Sequence, residues 1–200
     1  MKPDLEVGVF GLRTFHVEEL SGTLLPVNLP MEWHARRDYF HTWEGGTCIA
    51  KCWFNPDHQP PEPDCTCGIY CIRDLTNLRS QYKQADGLVA VVALEGRVIE
   101  GELGWRAQAG RVVALWSAPG VITAQLRKRI NRQIPGLTWL TSDGQVTTYP
   151  GLEDQPLVSI PSSPVRDAVR RSIVFASPTM AWGDLSEMRF AMRVLRSLLW

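Results

Sequence analysis

The sequence predicts an α+β fold, in which a mainly antiparallel β domain precedes a group of amphipathic helices. Short apolar or alternating segments, separated by turns that contain glycine and proline, predict the strands of residues 1–118. A continuous apolar run at 88–94 is typical of a strand that is buried on both faces. After residue 118, apolar residues recur every three to four positions, which is the period of a helix with one buried side.

The length and composition are those of a globular protein. A chain of 200 residues, of which 44% are hydrophobic and 21% charged, buries roughly 70% of its unfolded surface when it folds. These values exclude a wholly disordered chain, a collagen and a coiled-coil rod. There is no run of 18 apolar residues, and the first six residues lack the apolar core of a signal peptide. We therefore expect a cytoplasmic protein without a membrane span.

Alternation and turn residues position the elements of the first half. Strands are predicted at 6–17, 47–54, 68–72, 88–94, 97–100, 105–109 and 111–116. Asp74 has the position of a helix N-cap, and the apolar spacing behind it predicts a short helix that ends near Ala85. We expect Glu95 and Gly96 to reverse the chain after the apolar run, so that the next strand becomes its hairpin partner.

The second half is predicted to begin with a basic helix. Pro119 and Gly120 open it, and its apolar residues from Ile122 to Ile134 fall on one stripe. A short strand is expected at 137–140. The predicted organisation is a β-rich domain at 1–118, a basic helix and short strand packed on it at 119–142, a Pro-rich linker at 143–164, and C-terminal helices at 165–200.

All five cysteines of the chain lie within 24 residues, at positions 48, 52, 65, 67 and 71. An odd number of cysteines without a signal peptide argues against a disulfide framework. Free cysteines that served only as small core residues would be scattered along the chain. Their clustering therefore indicates a metal site.

Four ligands for a tetrahedral zinc ion are available in several combinations, because the same region contains His58. On one continuous strand Cys48 and Cys52 would lie about 13 Å apart, which is too far for one ion. Cys65 and Cys67 are two residues apart and can point the same way. The predicted ligands of a structural zinc ion are Cys52, His58, Cys65 and Cys67. The other two cysteines would be neighbours or substitutes, and reduced core cysteines or redox chemistry remain alternatives.

Basic residues are concentrated in the second half of the chain. Residues 1–100 contain 9 Lys and Arg against 14 Asp and Glu, whereas residues 101–200 contain 12 against 7. One face of the predicted basic helix would contact nucleic-acid phosphates, although a solvated helix face has the same pattern. The residues of this predicted interface are Arg127, Lys128, Arg129 and Arg132.

Trp105 and Arg106 are the candidates for a ligand pocket. Arg106 would hold a phosphate or carboxylate, and Trp105 would stack on a base; the structural alternative is a bulged hairpin with an arginine buried against an acid. No catalytic residue is predicted, because the chain lacks the common nucleophile, phosphate-loop and metalloprotease signatures. The histidines outside the cysteine cluster, His16, His34 and His41, are expected to be packed or surface residues.

Three motifs resemble an uncharacterised family of actinobacteria and their phages. They are Cys52 with His58-Gln59-Pro60-Pro61, then Cys65-Thr66-Cys67-Gly68-Ile69-Tyr70, and then Gly104-Trp105-Arg106-Ala107. The resemblance covers roughly residues 7–116. It departs at Cys71, where the family pattern has alanine, and at Glu95, where tryptophan is usual. The resemblance implies a small β-rich domain, the same four metal ligands, Cys71 as a non-ligand, and no specific activity.

Three functions are compatible with the sequence. The first is a non-enzymatic binding or regulatory protein of a bacterial host cell or phage, with structural zinc and a nucleic acid or protein as target. The second is a small hydrolase or nucleotide-processing enzyme with its pocket at Trp105 and Arg106. The third is a phage assembly or host-interaction protein that acts through its last helix. The oligomeric state stays open.

Overall fold

The computed structural model describes residues 9–27, 43–52, 55 and 57–152. The chain divides into two compact units, Met1–Gln155 and Pro156–Trp200, and every described residue belongs to the first. The predicted helices at 165–200 lie outside the described residues, as do His34 and His41.

Eight strands and three α-helices make up the described part of the chain. The strands are β1 (Val9–Arg13), β2 (Phe15–Val17), β3 (Leu24–Pro26), β4 (Thr47–Ile49), β5 (Ile69–Ile72), β6 (Leu88–Glu100), β7 (Gly104–Ser117) and β8 (Thr138–Leu140). The helices are α1 (Leu75–Gln81), α2 (Ala124–Gln133) and α3 (Asp143–Thr147), with short 3₁₀ turns at Glu44–Gly46 and Lys83–Asp86. The predicted α+β class is confirmed.

Four antiparallel strands form a closed circuit of pairings. β1 pairs with both β5 and β6, and β7 pairs with both β5 and β6. Along β7, β4 adds an antiparallel strand and β8 a parallel one. β2 and β3 form a separate two-stranded sheet. β7 therefore contacts four other strands and is the centre of the structure.

β6 is buried on both faces over its first seven residues, as its continuous apolar run predicts. Leu88, Ala90 and Val92 pack into one apolar cluster, which also contains residues of α2. Val89 and Val91 point to the other side and pack into a second cluster with residues of α1. The sheet thus separates two cores, and its helices cover both of them.

The predicted chain reversal at Glu95 and Gly96 is wrong. β6 continues to Glu100, and a β-bulge occupies the position of the predicted turn. Gly96 has a φ of 72°, a left-handed conformation that suits a bulge as well as a turn. The reversal comes later, where the N–H of Gly101 donates to the carbonyl of Gly104 at 2.7 Å. The hairpin partner of β6 is therefore β7.

Capping residues begin all three helices. The side chain of Asp74 accepts a hydrogen bond from the N–H of Asn77 at 2.8 Å, which confirms the predicted N-cap. Thr123 caps α2, which begins a few residues after the predicted opening at 119–120. Ser142 caps α3, which occupies the start of the predicted linker. Val146 of this helix is fully buried, so packed structure continues beyond residue 142.

None of the helices in the described ranges has the length and apolar character that a membrane crossing requires.

Candidate metal centre

The four predicted ligands are brought together by the end of one strand and the start of another. β4 ends at Ile49, and Cys52 follows outside the strand. Cys65 and Cys67 immediately precede β5, which lies beside β7 as β4 does. His58 lies in the proline-rich loop between them. Because β4 stops before Cys52, the spacing of a continuous strand does not fix the position of Cys52 relative to Cys48.

The ligand atoms of Cys52, His58, Cys65 and Cys67 all lie within 4.8 Å of one another. The Sγ atom of Cys52 is 3.5 Å from Nδ1 of His58 and 3.6 Å from Sγ of Cys65. A tetrahedral zinc ion would set these separations at about 3.6 Å and about 3.8 Å. The residues present therefore fit a metal ion in both donor type and spacing.

The four residues of the cluster are partly or fully shielded from solvent. Cys52 and Cys67 are buried, whereas His58 and Cys65 are half-buried. Burial raises the pKa of the Cys67 thiol to about 11, although a hydrogen bond with the backbone of Glu62 acts in the opposite direction. A metal ion stabilises the thiolate directly and offsets the cost of burying it. The N–H of Asn55 also donates to Sγ of Cys52, at 3.3 Å.

Arg106 holds the backbone of this loop from the neighbouring strand β7. Its guanidinium donates to the carbonyl of Cys65, to that of Cys67 at 3.4 Å, and to that of Pro63 at 3.2 Å. The residue is only 8% exposed. The guanidinium thus hydrogen-bonds to the backbone of two of the predicted ligands, Cys65 and Cys67. Its partners are backbone carbonyls, not the acidic side chain that the sequence analysis gave as an alternative.

Arg97 of β6 makes a second, more exposed contact with the same loop. It donates to the carbonyl of Pro61 at 3.2 Å and pairs with Glu62 at 2.9 Å. Gly68 allows the loop to approach this closely, because a Cβ there would lie 3.2 Å from Cβ of Arg106. The φ of Gly68 is also positive, at 129°. Two arginines of the β6–β7 hairpin therefore fix the position of the loop.

The remaining cysteines and Trp105 lie in the apolar core. Cys48 and Cys71 are 4% and 1% exposed and belong to the cluster on the α2 side of the sheet. Burial raises the pKa of each of these two thiols to about 12. Trp105 is also buried, with the guanidinium of Arg73 at 4.9 Å from its ring centroid. Ligand binding by Trp105 and Arg106 stays a prediction.

The basic residues of α2 form a second feature. Arg127, Lys128 and Arg132 are exposed, whereas Arg129 is half-buried and donates to the carbonyl of Glu19. Within the described ranges, none of the four forms an ion pair. Other arginines do form such pairs: Arg73, Arg79, Arg97 and Arg111 each pair with a carboxylate.

The sequence did not show that Arg97 and Arg106 hold the loop in position through hydrogen bonds to its backbone. The Gly-Trp-Arg-Ala motif drew attention to Arg106, but it carried no signal that the guanidinium faces loop carbonyls about 40 residues earlier in the chain. For Arg97 the signal was absent, because the residue was expected at the start of a separate hairpin strand, and nothing in that pattern related it to the loop. Strand register, which only the structure provides, aligns both residues with the loop.

Comparisons with protein-family models, curated proteins and solved structures find no significant match to this chain.

Proposed function

We propose that this chain is a non-enzymatic binding protein with a structural zinc site. The ligands are Cys52, His58, Cys65 and Cys67, and the observation that carries the proposal is the mutual proximity of their ligand atoms. Thiolate sulfur and imidazole nitrogen are the ligands that zinc prefers. Four protein ligands fill a tetrahedron and leave no position for a reactive water, which supports a structural role rather than hydrolysis.

The loop that carries the ligands supports a structural role. Residues 55–67 contain four prolines, and the described residues among them form neither helix nor strand. The regular backbone pairing that stabilises the sheet is therefore missing from this segment. A metal ion would supply the missing stabilisation, because binding energy at such a site becomes folding energy.

Elemental analysis of the purified chain, combined with melting curves before and after chelation, tests the zinc site. We expect one zinc per chain and a lower melting temperature after chelation. Cys52→Ser should remove the metal, whereas Cys48→Ala, a change at a core cysteine outside the cluster, should leave the stoichiometry at one. A metal-free protein, or equal metal loss in both variants, would contradict the proposal.

The proposed binding partner is a nucleic acid, contacted by its phosphates. The support is the basic surface of α2, defined by Arg127, Lys128 and Arg132, which are exposed and unpaired within the described ranges. No aspartate or glutamate occurs from residue 103 to residue 142. A run of basic residues attracts a polyanion from a distance and holds it by counterion release. The predicted origin in a bacterial host or phage is part of this proposal.

Binding of a labelled DNA duplex at several salt concentrations tests the partner. Three phosphate contacts predict a slope of log affinity against log salt of about −2.7. Arg132→Glu should weaken binding and reduce the slope. Lys83→Glu, a charge reversal at an exposed residue outside both α2 and the loop that carries the zinc ligands, serves as the matched control. Salt-independent binding, or equal losses in both variants, would exclude this surface as the nucleic-acid site.

A further inference from the structure

Arg127 and Trp139 form the closest arginine–aromatic contact among the described residues. The guanidinium carbon lies 4.3 Å from the centroid of the Trp139 ring, and the other such contacts measure 4.9 to 5.6 Å. A cation over an indole face is attracted by the ring quadrupole. The long side chain of Arg127 is thus held in place although the residue is exposed.

The ring of Trp139 is itself fixed from two sides. Its Nε1 donates to Oδ1 of Asn131 at 2.7 Å, and its backbone on β8 is in register with Leu115 of β7. Arg127 and Asn131 are four residues apart on α2, so they project from the same face of the helix. Sheet and helix together therefore determine where the guanidinium of Arg127 lies.

The other arginines that stack on aromatic rings all have a hydrogen-bond or ion-pair acceptor. Arg73 and Arg79 also lie over tryptophan rings, and each forms an ion pair with a carboxylate. Arg13, between two aromatic rings, donates to the carbonyl of Tyr70 at 2.6 Å. Within the described ranges, Arg127 is the stacked arginine that has no such acceptor. Its N–H groups are positioned and available.

We propose that Arg127 is the phosphate anchor of the α2 surface and that Trp139 is its positioning residue. The proposal rests on the proposed nucleic-acid function. A guanidinium that contacts a ring through its face keeps its planar fork of N–H donors for two oxygens of one phosphodiester. Because Arg127 is ordered beforehand, it loses less side-chain entropy on binding than Lys128 or Arg132.

Matched substitutions on a duplex DNA probe test the anchor. Arg127→Lys keeps the charge but removes the fork, and we expect it to weaken binding about 3- to 10-fold. Arg132→Lys makes the same chemical change at a residue that stacks on no aromatic ring of the described part of the chain, and it should leave the affinity within about twofold. Trp139→Leu should weaken binding to a similar degree as Arg127→Lys without changing the salt slope, since no charge is lost, and Trp139→Phe should restore most of the affinity.

The possible results separate the anchor from the underlying function. If the unaltered chain shows no salt-dependent DNA binding, the proposed function fails, and binding to equimolar phosphatidylserine–phosphatidylcholine vesicles instead would assign the surface to a membrane. If the chain binds DNA but the two Arg→Lys variants bind equally, the anchor is overturned. Melting curves check each variant for folding, and if Trp139→Leu does not fold, the two Arg→Lys variants decide the question.

Discussion

The β6–β7 hairpin and the metal loop (residues 50–68) are adjacent, but different interactions stabilise them. The hairpin is paired from Leu88 opposite Ser117 to Glu100 opposite Trp105. Most side chains in the first half of β6 are buried in two apolar clusters. Backbone pairing thus extends along this element apart from its bulges, and apolar burial stabilises the first half of β6, whereas Glu95, Gly96 and Arg97 are exposed.

The metal loop lacks the paired strands of the hairpin and has only a few local backbone hydrogen bonds, although Ala50 at its start belongs to the cluster on the α2 side. Its described residues form no strand or helix, and its largest concentration of contacts is the Cys and His cluster with the two arginines above it. Nearness in the sequence therefore does not decide the chemistry of a cysteine. Cys48 and Cys71 lie in strands and are core residues, whereas the cysteines between these strands approach one another closely enough to bind a metal.

The largest expected effect is a loss of stability when a buried side chain of the β6–β7 hairpin is truncated. Leu115 is fully buried in the cluster on the α2 side. Leu115→Ala should lower the free energy of unfolding by about 2–5 kcal/mol. Urea denaturation should give the same loss in the metal-loaded and the chelated protein, because none of the four metal ligands belongs to this cluster. A loss that depends on the metal by more than about 1 kcal/mol would show that the two regions are energetically coupled.

The second effect is on thiol reactivity. Since burial raises the pKa of Cys48 and Cys71 to about 12, from 9.0 for an ordinary thiol, their thiolate fraction near pH 8 falls by about 1,000-fold. Alkylation of the chelated, folded protein should therefore modify the half-buried Cys65 quickly and leave the two core cysteines intact until the chain unfolds. Mass spectrometry of peptides after timed quenching measures this. Equal rates for all three would contradict the placement of the core cysteines.

A smaller effect, on zinc affinity, is expected when the buried Arg106 is replaced. Arg106→Met deletes the hydrogen bonds to three loop carbonyls while keeping the apolar stem. Loss of such an outer contact should weaken zinc binding about 10- to 100-fold. Competition with a chromophoric chelator measures the affinity. If Arg106→Met binds zinc as tightly as the unaltered chain, the metal alone positions the loop.

The smallest effect on zinc affinity should come from replacing the exposed Arg97. Arg97 is 51% exposed and pairs with Glu62 in solvent. Such a pair contributes about 0–1 kcal/mol, so Arg97→Met should change zinc affinity by less than about fivefold. The same chelator competition compares it with Arg106→Met. A larger loss of zinc affinity for Arg97→Met than for Arg106→Met would show that Arg97, and not Arg106, contributes more to holding the loop.

Much of the fold was predictable because local patterns follow directly from secondary-structure geometry. The apolar run of β6 and the N-cap at Asp74 depend only on neighbouring residues, and both predictions are confirmed. The bulge at Gly96 was not predictable, since a glycine with positive φ suits a turn and a bulge equally. The choice was made by β7, which pairs with β6 on both sides of the bulge.

The residue types available for a metal site, and the helix on which basic residues are concentrated, follow directly from the amino-acid sequence. Its clustered cysteines and the histidine between them limited the ligand choices to a few combinations, as local composition does. Only the tertiary structure decided which cysteines meet, because β4 ends before Cys52 and thereby separates it from Cys48. The same holds for Arg127, whose contact with Trp139 depends on how α2 and β8 pack. Contacts between residues distant in the chain are set by strand register and helix packing, which no local pattern encodes.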